Sequence, residues 1–332
     1  MIKVDIEPLK AFYGDCIFIT IKDGEKEFTI MIDGGTSRTY KLRGRYGRKV
    51  GGVLKKKIDE LKVHGKTIDL LIITHVDEDH IGGVLAWFED DFPSTGFVRS
   101  IWMNDDVDVN VSKEVDNTSA QAASLKKLLA AKNIFIVDQI VLGLEKSFDW
   151  GRMVAIAPTA IHHNKIARDI KAELDNTVSD RYDENIKQLV SEKYICDACT
   201  PENDASMAFL LQTKDGETIL LLGDANIDTI MDSLKHIEGV VLPLKCSWVK
   251  LSHHGSKNNF KPEFLEMVDA ENYIISTNGM KFGHPDKEVI AYLIDRTDAV
   301  LWFNYPERAQ KILTKQDKID YPNVEKRFEF FE

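Results

Sequence analysis

The sequence predicts an α/β fold, and two observations carry that prediction. The first is the run Leu70-Leu71-Ile72-Ile73, which is apolar and rich in isoleucine. It stops at Thr74-His75-Val76-Asp77-Glu78-Asp79-His80 and gives way, after Gly82-Gly83, to a second apolar segment. A buried strand that passes through a tight loop into a helix has this form. The second observation is that the layout recurs. Asp33, Asp224, the pair His253-His254, and His284 each follow an apolar, strand-like run. In α/β folds the loops at one set of strand ends gather at a common place, and ligand-type residues scattered by chance would not keep that position.

Taken in order, Ile2–Ile6 alternates as a first strand. Phe12–Ile19 and Phe28–Ile32 form a hairpin about the turn Asp23-Gly24. Arg38–Lys57 holds nine lysines and arginines and no acid, in a chain whose formal net charge is −11. Its glycines predict a flexible loop, with Arg43, Arg45 and Arg48 available to phosphates and Tyr40 and Tyr46 available for stacking. Val53–Val63 has Leu54, Ile58 and Leu61 at helical spacing. Val98–Met103 reads as a strand and Ser112–Lys132 as a helix. Ile134–Leu142 and Val154–Ala157 read as further strands, and His162-His163 as a surface pair. A charged, helix-favouring insertion covers about 164–200 and could serve as a lid or as a homodimer surface. Cys196 and Cys199 close it, but a lone Cys-x-x-Cys without a second pair is a weak zinc signal. Strands are expected at Met207–Leu211, Thr218–Leu222, Trp248–Leu251 and Tyr273–Ser276. A helix follows at Asp286–Ile294, with a late edge strand at Val300–Phe303. The domain reading is one unit over 1–310 and a charged segment, 311–332, packed on it.

Net charge of −11 predicts no general attraction to nucleic acid or anionic membrane, so any polyanion site must be a local patch. The charged N-terminal strand is not a signal peptide, and no apolar run approaches the ~20 residues of a membrane span. Four scattered cysteines in 332 residues suggest a reducing compartment. The expectation is a cytoplasmic protein without a membrane partner.

Within the loop after Ile73, His75 and Asp77 are two apart, as are Asp77 and Asp79, so an extended segment can turn them one way. His80 then points elsewhere, toward a second ion. Imidazole mixed with carboxylate suits Zn²⁺ or Mn²⁺. The stretch Thr-His-x-Asp-x-Asp-His-Ile-Gly-Gly resembles the metallo-β-lactamase superfamily signature with Asp77 in place of its second histidine. That form resembles the soluble metallohydrolase domain related to bacterial DNA-uptake competence proteins. The resemblance extends to the opening hairpin, to Asn203-Asp204-Ala205-Ser206, to Gly223-Asp224 and to Ser252-His253-His254-Gly255-Ser256.

The resemblance implies a metallo-β-lactamase fold, an αβ/βα four-layer sandwich of two mixed sheets with helices outside. It implies two divalent ions held by His75, Asp77, Asp79, His80, Asp224 and His254, with Asp224 shared between them. Asp33 would brace the metal loop, and His284 competes with His254 as the last ligand. Asn203 stands where many relatives carry a ligand histidine, and Ser206 would orient a neighbour. The expected activity is hydrolysis of a phosphodiester, in DNA, RNA or a nucleotide, by metal-activated water. Asp79 would take a proton, and His253 or His284 would protonate the leaving oxygen. The alternatives are a small ester or phosphoester, such as a choline-phosphate or cyclic-nucleotide diester, and a non-catalytic binding protein.

Overall fold

The structure is a computed structural model that describes residues 1–44, 48–104, 117–160, 181–197 and 199–331. It divides into two compact units, the first containing Met1–Ile140 and the second running onward from Val141.

The first unit is built on a six-stranded sheet. Its strands are β1 (Lys3–Pro8), β2 (Ile17–Asp23), β3 (Lys26–Ile32), β6 (Leu70–Ile73), β7 (Ile101–Met103) and β8 (Ile136–Val137), hydrogen-bonded in that order. β1, β2 and β3 are antiparallel, and β3, β6, β7 and β8 are parallel. Helices α1 (Val53–Val63), α2 (Glu78–Asp90) and α3 (Asn117–Ala131) cover one face. Leu54, Ile58 and Leu61 from α1, Ile81, Val84 and Trp87 from α2, and Leu125 and Leu129 from α3 pack there on Phe18, Met31, Leu71 and Ile101. Residues of the other face, Ile19, Ile30, Ile32 and Ile72, are buried as well. That double burial explains the unbroken apolar run of β6.

The second unit carries an eight-stranded sheet. In chain order its strands are β9 (Glu145–Phe148), β10 (Gly151–Ala157), β11 (Ala208–Thr213), β12 (Thr218–Leu221), β13 (Leu244–Lys250), β14 (Val268–Ile275), β15 (Val300–Phe303) and β16 (Phe328–Phe330). Each is paired with the next. The ladder is antiparallel from β9 to β12 and parallel from β12 to β16. Its helices include α4 (Ile186–Ser191), α5 (Ile227–Leu234), α6 (Lys287–Arg296) and α7 (Lys315–Asp320). Among the described residues, no helix is long and apolar enough to cross a membrane.

Several local expectations are corrected. The run 134–142 forms only the two-residue β8. Asn133 and Gln139 have φ of 53° and 57°, outside the extended region. Ile140 is held instead by both amide atoms of Asn104, at 2.7 and 2.8 Å. The basic stretch is not one open loop: β4 (Lys41–Arg43) and β5 (Lys49–Gly51) pair antiparallel within it. Tyr40 is fully buried, so it cannot stack on a ligand. β15 is an interior strand, because β16 from the charged C-terminal segment adds in parallel beyond it. Ser112, His162, His163, Arg45 and Tyr46, and residues 164–180 of the insertion, lie outside the described residues.

Candidate metal-ligand groups

Each unit carries its own group of ligand-type side chains at its strand tips. In the first unit, β3 and β6 pair Ile32 with Ile72, so the residue after β3 lies alongside the chain leaving β6. That residue, Asp33, is fully buried, and its carboxylate accepts three hydrogen bonds. Thr74 N donates to Oδ1 at 2.8 Å, Thr74 Oγ1 to Oδ2 at 2.7 Å, and His80 Nδ1 to Oδ2 at 2.8 Å. A carboxylate can only accept, so the His80 proton sits on Nδ1 and the lone pair on Nε2. The Thr74 hydroxyl spends its one proton on Asp33. It can therefore only accept from His75 Nδ1, 3.0 Å away, which gives His75 the same tautomer. The two rings are 4.0 Å apart between centroids.

Asp77 is the N-cap of α2, yet its side chain makes no capping hydrogen bond; Oδ2 lies 3.6 Å from His75 Nε2. Asp79 follows in the first turn and is buried. Glu78 takes another course, accepting from Tyr13 Oη and Ser37 N, both at 3.1 Å. Burial and the Glu78 carboxylate together push the Tyr13 phenol up. Gly83 fits because a Cβ there would lie 1.9 Å from the Gly34 carbonyl oxygen, which explains the double glycine as a close approach of two backbones.

Asp15 was not singled out from the sequence. It is 1% exposed, and its backbone N–H donates to Asp79 O at 3.2 Å. A Cβ at Gly14 would lie 1.8 Å from that same oxygen. A carboxylate oxygen of Asp15 and a ring nitrogen of His80 lie within 4.8 Å of each other. The signal present in the sequence was Gly14-Asp15, which reads equally well as an ordinary turn.

In the second unit, Asp224 follows the tip of β12 and is 2% exposed. Its N–H donates to Ser206 Oγ at 3.0 Å, and its carbonyl accepts from Asn259 Nδ2 at 2.8 Å. Its carboxylate Oδ2 is 3.7 Å from His254 Nε2 and 3.8 Å from His253 Nε2. Both histidines sit in a 3₁₀ turn after β13 with φ of 45° and 57°, in the left-handed region. His254 is fully buried, and its Nδ1 donates to Ser276 O at 2.8 Å, so its lone pair too is on Nε2.

His253 Nδ1 lies 2.9 Å from Asn259 Oδ1 and 3.1 Å from the Asn203 side-chain amide. Asn259 is oriented by its two backbone acceptors on Asp224 and Ala225. Its oxygen therefore faces His253 Nδ1, and the Asn203 amide nitrogen lies against the same ring atom. Asn203 and Ser206 thus touch the neighbours of the ligand group. Burial pushes His253 down to about 4; Asp224 opposes that shift, and His284 and His254 add to it. His284 Nδ1 is 3.4 Å from Asp286 Oδ2, and its ring is 5.1 Å from that of His253. It is His254, rather than His284, that the structure groups with Asp224.

His75, His80 and His254 share one arrangement: Nδ1 is committed to a neighbour and Nε2 carries the lone pair. A divalent ion requires this form from imidazole, and the outer hydrogen bond sets it. Buried carboxylates beside two of them supply charge: a ligand oxygen of Asp15 lies within 4.8 Å of a ring nitrogen of His80, and one of Asp224 within the same distance of His254, separations that suit a divalent ion. Asp33→Asn replaces one acceptor oxygen with an NH₂ that faces donors. The expected outcome is a 10–100-fold loss of Zn²⁺ affinity with the fold retained, measured by chelator competition. Unchanged affinity would mean that Asp33 does not orient His80.

Residues 9–103 match the family model described as the Metallo-beta-lactamase superfamily. No curated protein matches the chain. Among solved structures, the chain is similar to a possible metal-dependent hydrolase from Veillonella parvula. That similarity has 11% identity and a TM-score of 0.44, and covers 100% of this chain and 97% of that one. It is also similar to a metallo-β-lactamase from Cronobacter sakazakii, with 9% identity and a TM-score of 0.33, covering 97% and 90%. A third is a long-form RNase Z from yeast, with 11% identity and a TM-score of 0.43, covering 98% of this chain and 43% of that one. The matched residues 9–103 hold Asp33 and the His75–His80 loop, and the chain's mixed sheets and helices are consistent with the metallo-β-lactamase fold.

Proposed function

We propose that this protein is a metal-dependent hydrolase of phosphodiesters, acting on DNA, RNA or a nucleotide, in the manner of the soluble metallohydrolases related to DNA-uptake competence proteins. In this reading His75, Asp77, Asp79 and His80 of the first unit, and Asp224 and His254 of the second, would be the residues that hold Zn²⁺ or Mn²⁺. The observation that carries this reading is the shared anchoring of His75, His80 and His254 through Nδ1. Three histidines fixed in the ligand tautomer among buried carboxylates are expensive to maintain without a cation. A divalent ion in such surroundings activates water and neutralises charge on a phosphate.

The chain's own groups do the rest. Asp79 accepts a proton at its carboxylate. His253, neutral, lies against Asn259 and Asn203 through Nδ1, with Nε2 3.8 Å from Asp224 Oδ2. His284, oriented by Asp286, donates a proton to the leaving oxygen.

The phosphodiester assignment is supported by the basic stretch. Three of its cations are already in ion pairs: Lys41 with Asp90, Lys55 with Asp59 at 3.5 Å, and Lys57 with Glu7 at 2.6 Å. Arg38 lies over the Phe12 ring. Arg43 and Arg48 are exposed, one on β4 and the other just before β5. Together with Arg45 they form the phosphate-binding set of this reading.

Replacing all three arginines with alanine is expected to weaken binding of a DNA or RNA oligomer. The slope of log affinity against log salt should flatten by about 0.7–0.9 for each lost contact. Turnover of bis-p-nitrophenyl phosphate should be unchanged. An equal fall in small-diester turnover would make the hairpin a structural element and remove the polymer assignment.

A further inference from the structure

Lys250 is the last residue of β13, and its side chain is 2% exposed. Nζ donates to Gly223 O at 3.0 Å and lies 3.8 Å from Asp224 Oδ1. A buried ammonium needs a countercharge as well as a hydrogen bond. The Gly223 carbonyl gives the hydrogen bond, and the Asp224 carboxylate, 3.8 Å away, is a countercharge. The two oxygens of that carboxylate therefore face different surroundings. Oδ2 faces the Nε2 atoms of His254 and His253, at 3.7 and 3.8 Å, while Oδ1 faces a resident cation.

We infer that Lys250 holds the flank of Asp224 that a second divalent ion would occupy, so that Asp224 serves as a ligand through Oδ2 alone. The inference rests on reading Asp224 and His254 as metal ligands. It departs from the shared-carboxylate role that the sequence resemblance implies. Asp224 would then offer a divalent ion one oxygen, and a second ion relying on Oδ1 would bind weakly because it must approach an ammonium. Lys250 is a positioning residue, acting through the carboxylate it holds.

The test counts Mn²⁺ bound to the full chain, using the electron paramagnetic resonance signal of free Mn²⁺, for the wild type, Lys250→Met and Lys250→Gln. Methionine removes the charge at similar volume, and glutamine also keeps an N–H donor for Gly223 O. In both variants the weaker-bound Mn²⁺ is expected to bind at least tenfold tighter, and Mn²⁺ should raise the melting temperature more than it does in the wild type. Adding Asp224→Asn should abolish the gain. A merely structural lysine would lower stability without moving the isotherm. Binding with identical isotherms in wild type and folded Lys250→Gln overturns the inference alone. No Mn²⁺ bound by any of the proteins overturns the metal reading together with it.

Discussion

Replacing His254 with alanine is expected to lower phosphodiester turnover by about 10³-fold, roughly 4 kcal/mol of transition-state stabilisation, and to release bound metal. The expectation follows from position. His254 is fully buried, its Nδ1 is fixed on Ser276 O, and its Nε2 faces Asp224. Among the described residues, no other imidazole in the second unit combines these three features. His253 turns its Nδ1 to two asparagine side chains, and His284 faces Asp286. His236 is the control: its side chain is 73% exposed and lies 2.8 Å from the Asp232 carbonyl. His236→Ala should leave turnover and metal content unchanged. Full activity in His254→Ala would remove His254 from the ligand set.

The second large effect is on stability. Lys287 and Asp317 form an ion pair at 2.8 Å in which both side chains are fully buried. Lys287 Nζ also donates to the carbonyls of Tyr182, at 3.3 Å, and Glu184. Asp317 Oδ1 accepts from Ile186 N at 2.6 Å, and its capping box with Thr314 starts α7. One pair thus ties α6, α7 and the start of α4 together. Asp317→Ala leaves the ammonium buried and unpaired, and is expected to cost about 3–5 kcal/mol in denaturant unfolding. Replacing both residues, as Lys287→Met with Asp317→Leu, should cost less than the two single changes summed.

The pair also sets a pH dependence. Burial alone would raise the Asp317 carboxyl, but hydrogen bonds from Lys287, Ile186 N and Thr314 outweigh it and hold the group below its usual range. A carboxylate depressed in the folded state stabilises the protein above its unfolded pKa of about 3.9. That contribution is lost as pH falls through the folded value, so acid unfolding should steepen below about pH 4. In Asp317→Ala this steepening should be reduced.

What could be read from the sequence was what neighbours along the chain decide. Val53–Val63 is helical over the span its apolar spacing indicated, because Leu54, Ile58 and Leu61 return to one face every turn. The run into His75 is a strand because β6 is buried throughout. What could not be read depends on contacts distant in sequence. Asp15 becomes notable only when Gly14 lets the chain reach the Asp79 carbonyl. Lys250 looks like the polar end of a strand until β12 and β13 pair and bring it to Gly223 and Asp224. Asp317 sits in a charged segment with no apolar rhythm, and its partner Ile186 is 131 residues away. β16 gains its role only by adding to β15. For Asp15, Lys250 and Asp317 the local pattern was polar or turn-like, and contacts elsewhere turned it into a buried group.

The most direct measurement is the metal content of the purified chain after exhaustive dialysis, by elemental analysis, paired with bis-p-nitrophenyl phosphate turnover. The account predicts at least one divalent ion per chain, with turnover that a chelator removes and Zn²⁺ or Mn²⁺ restores. A chain with no bound ion, and no turnover under either metal, would contradict it and leave the ordered histidines as parts of a binding protein.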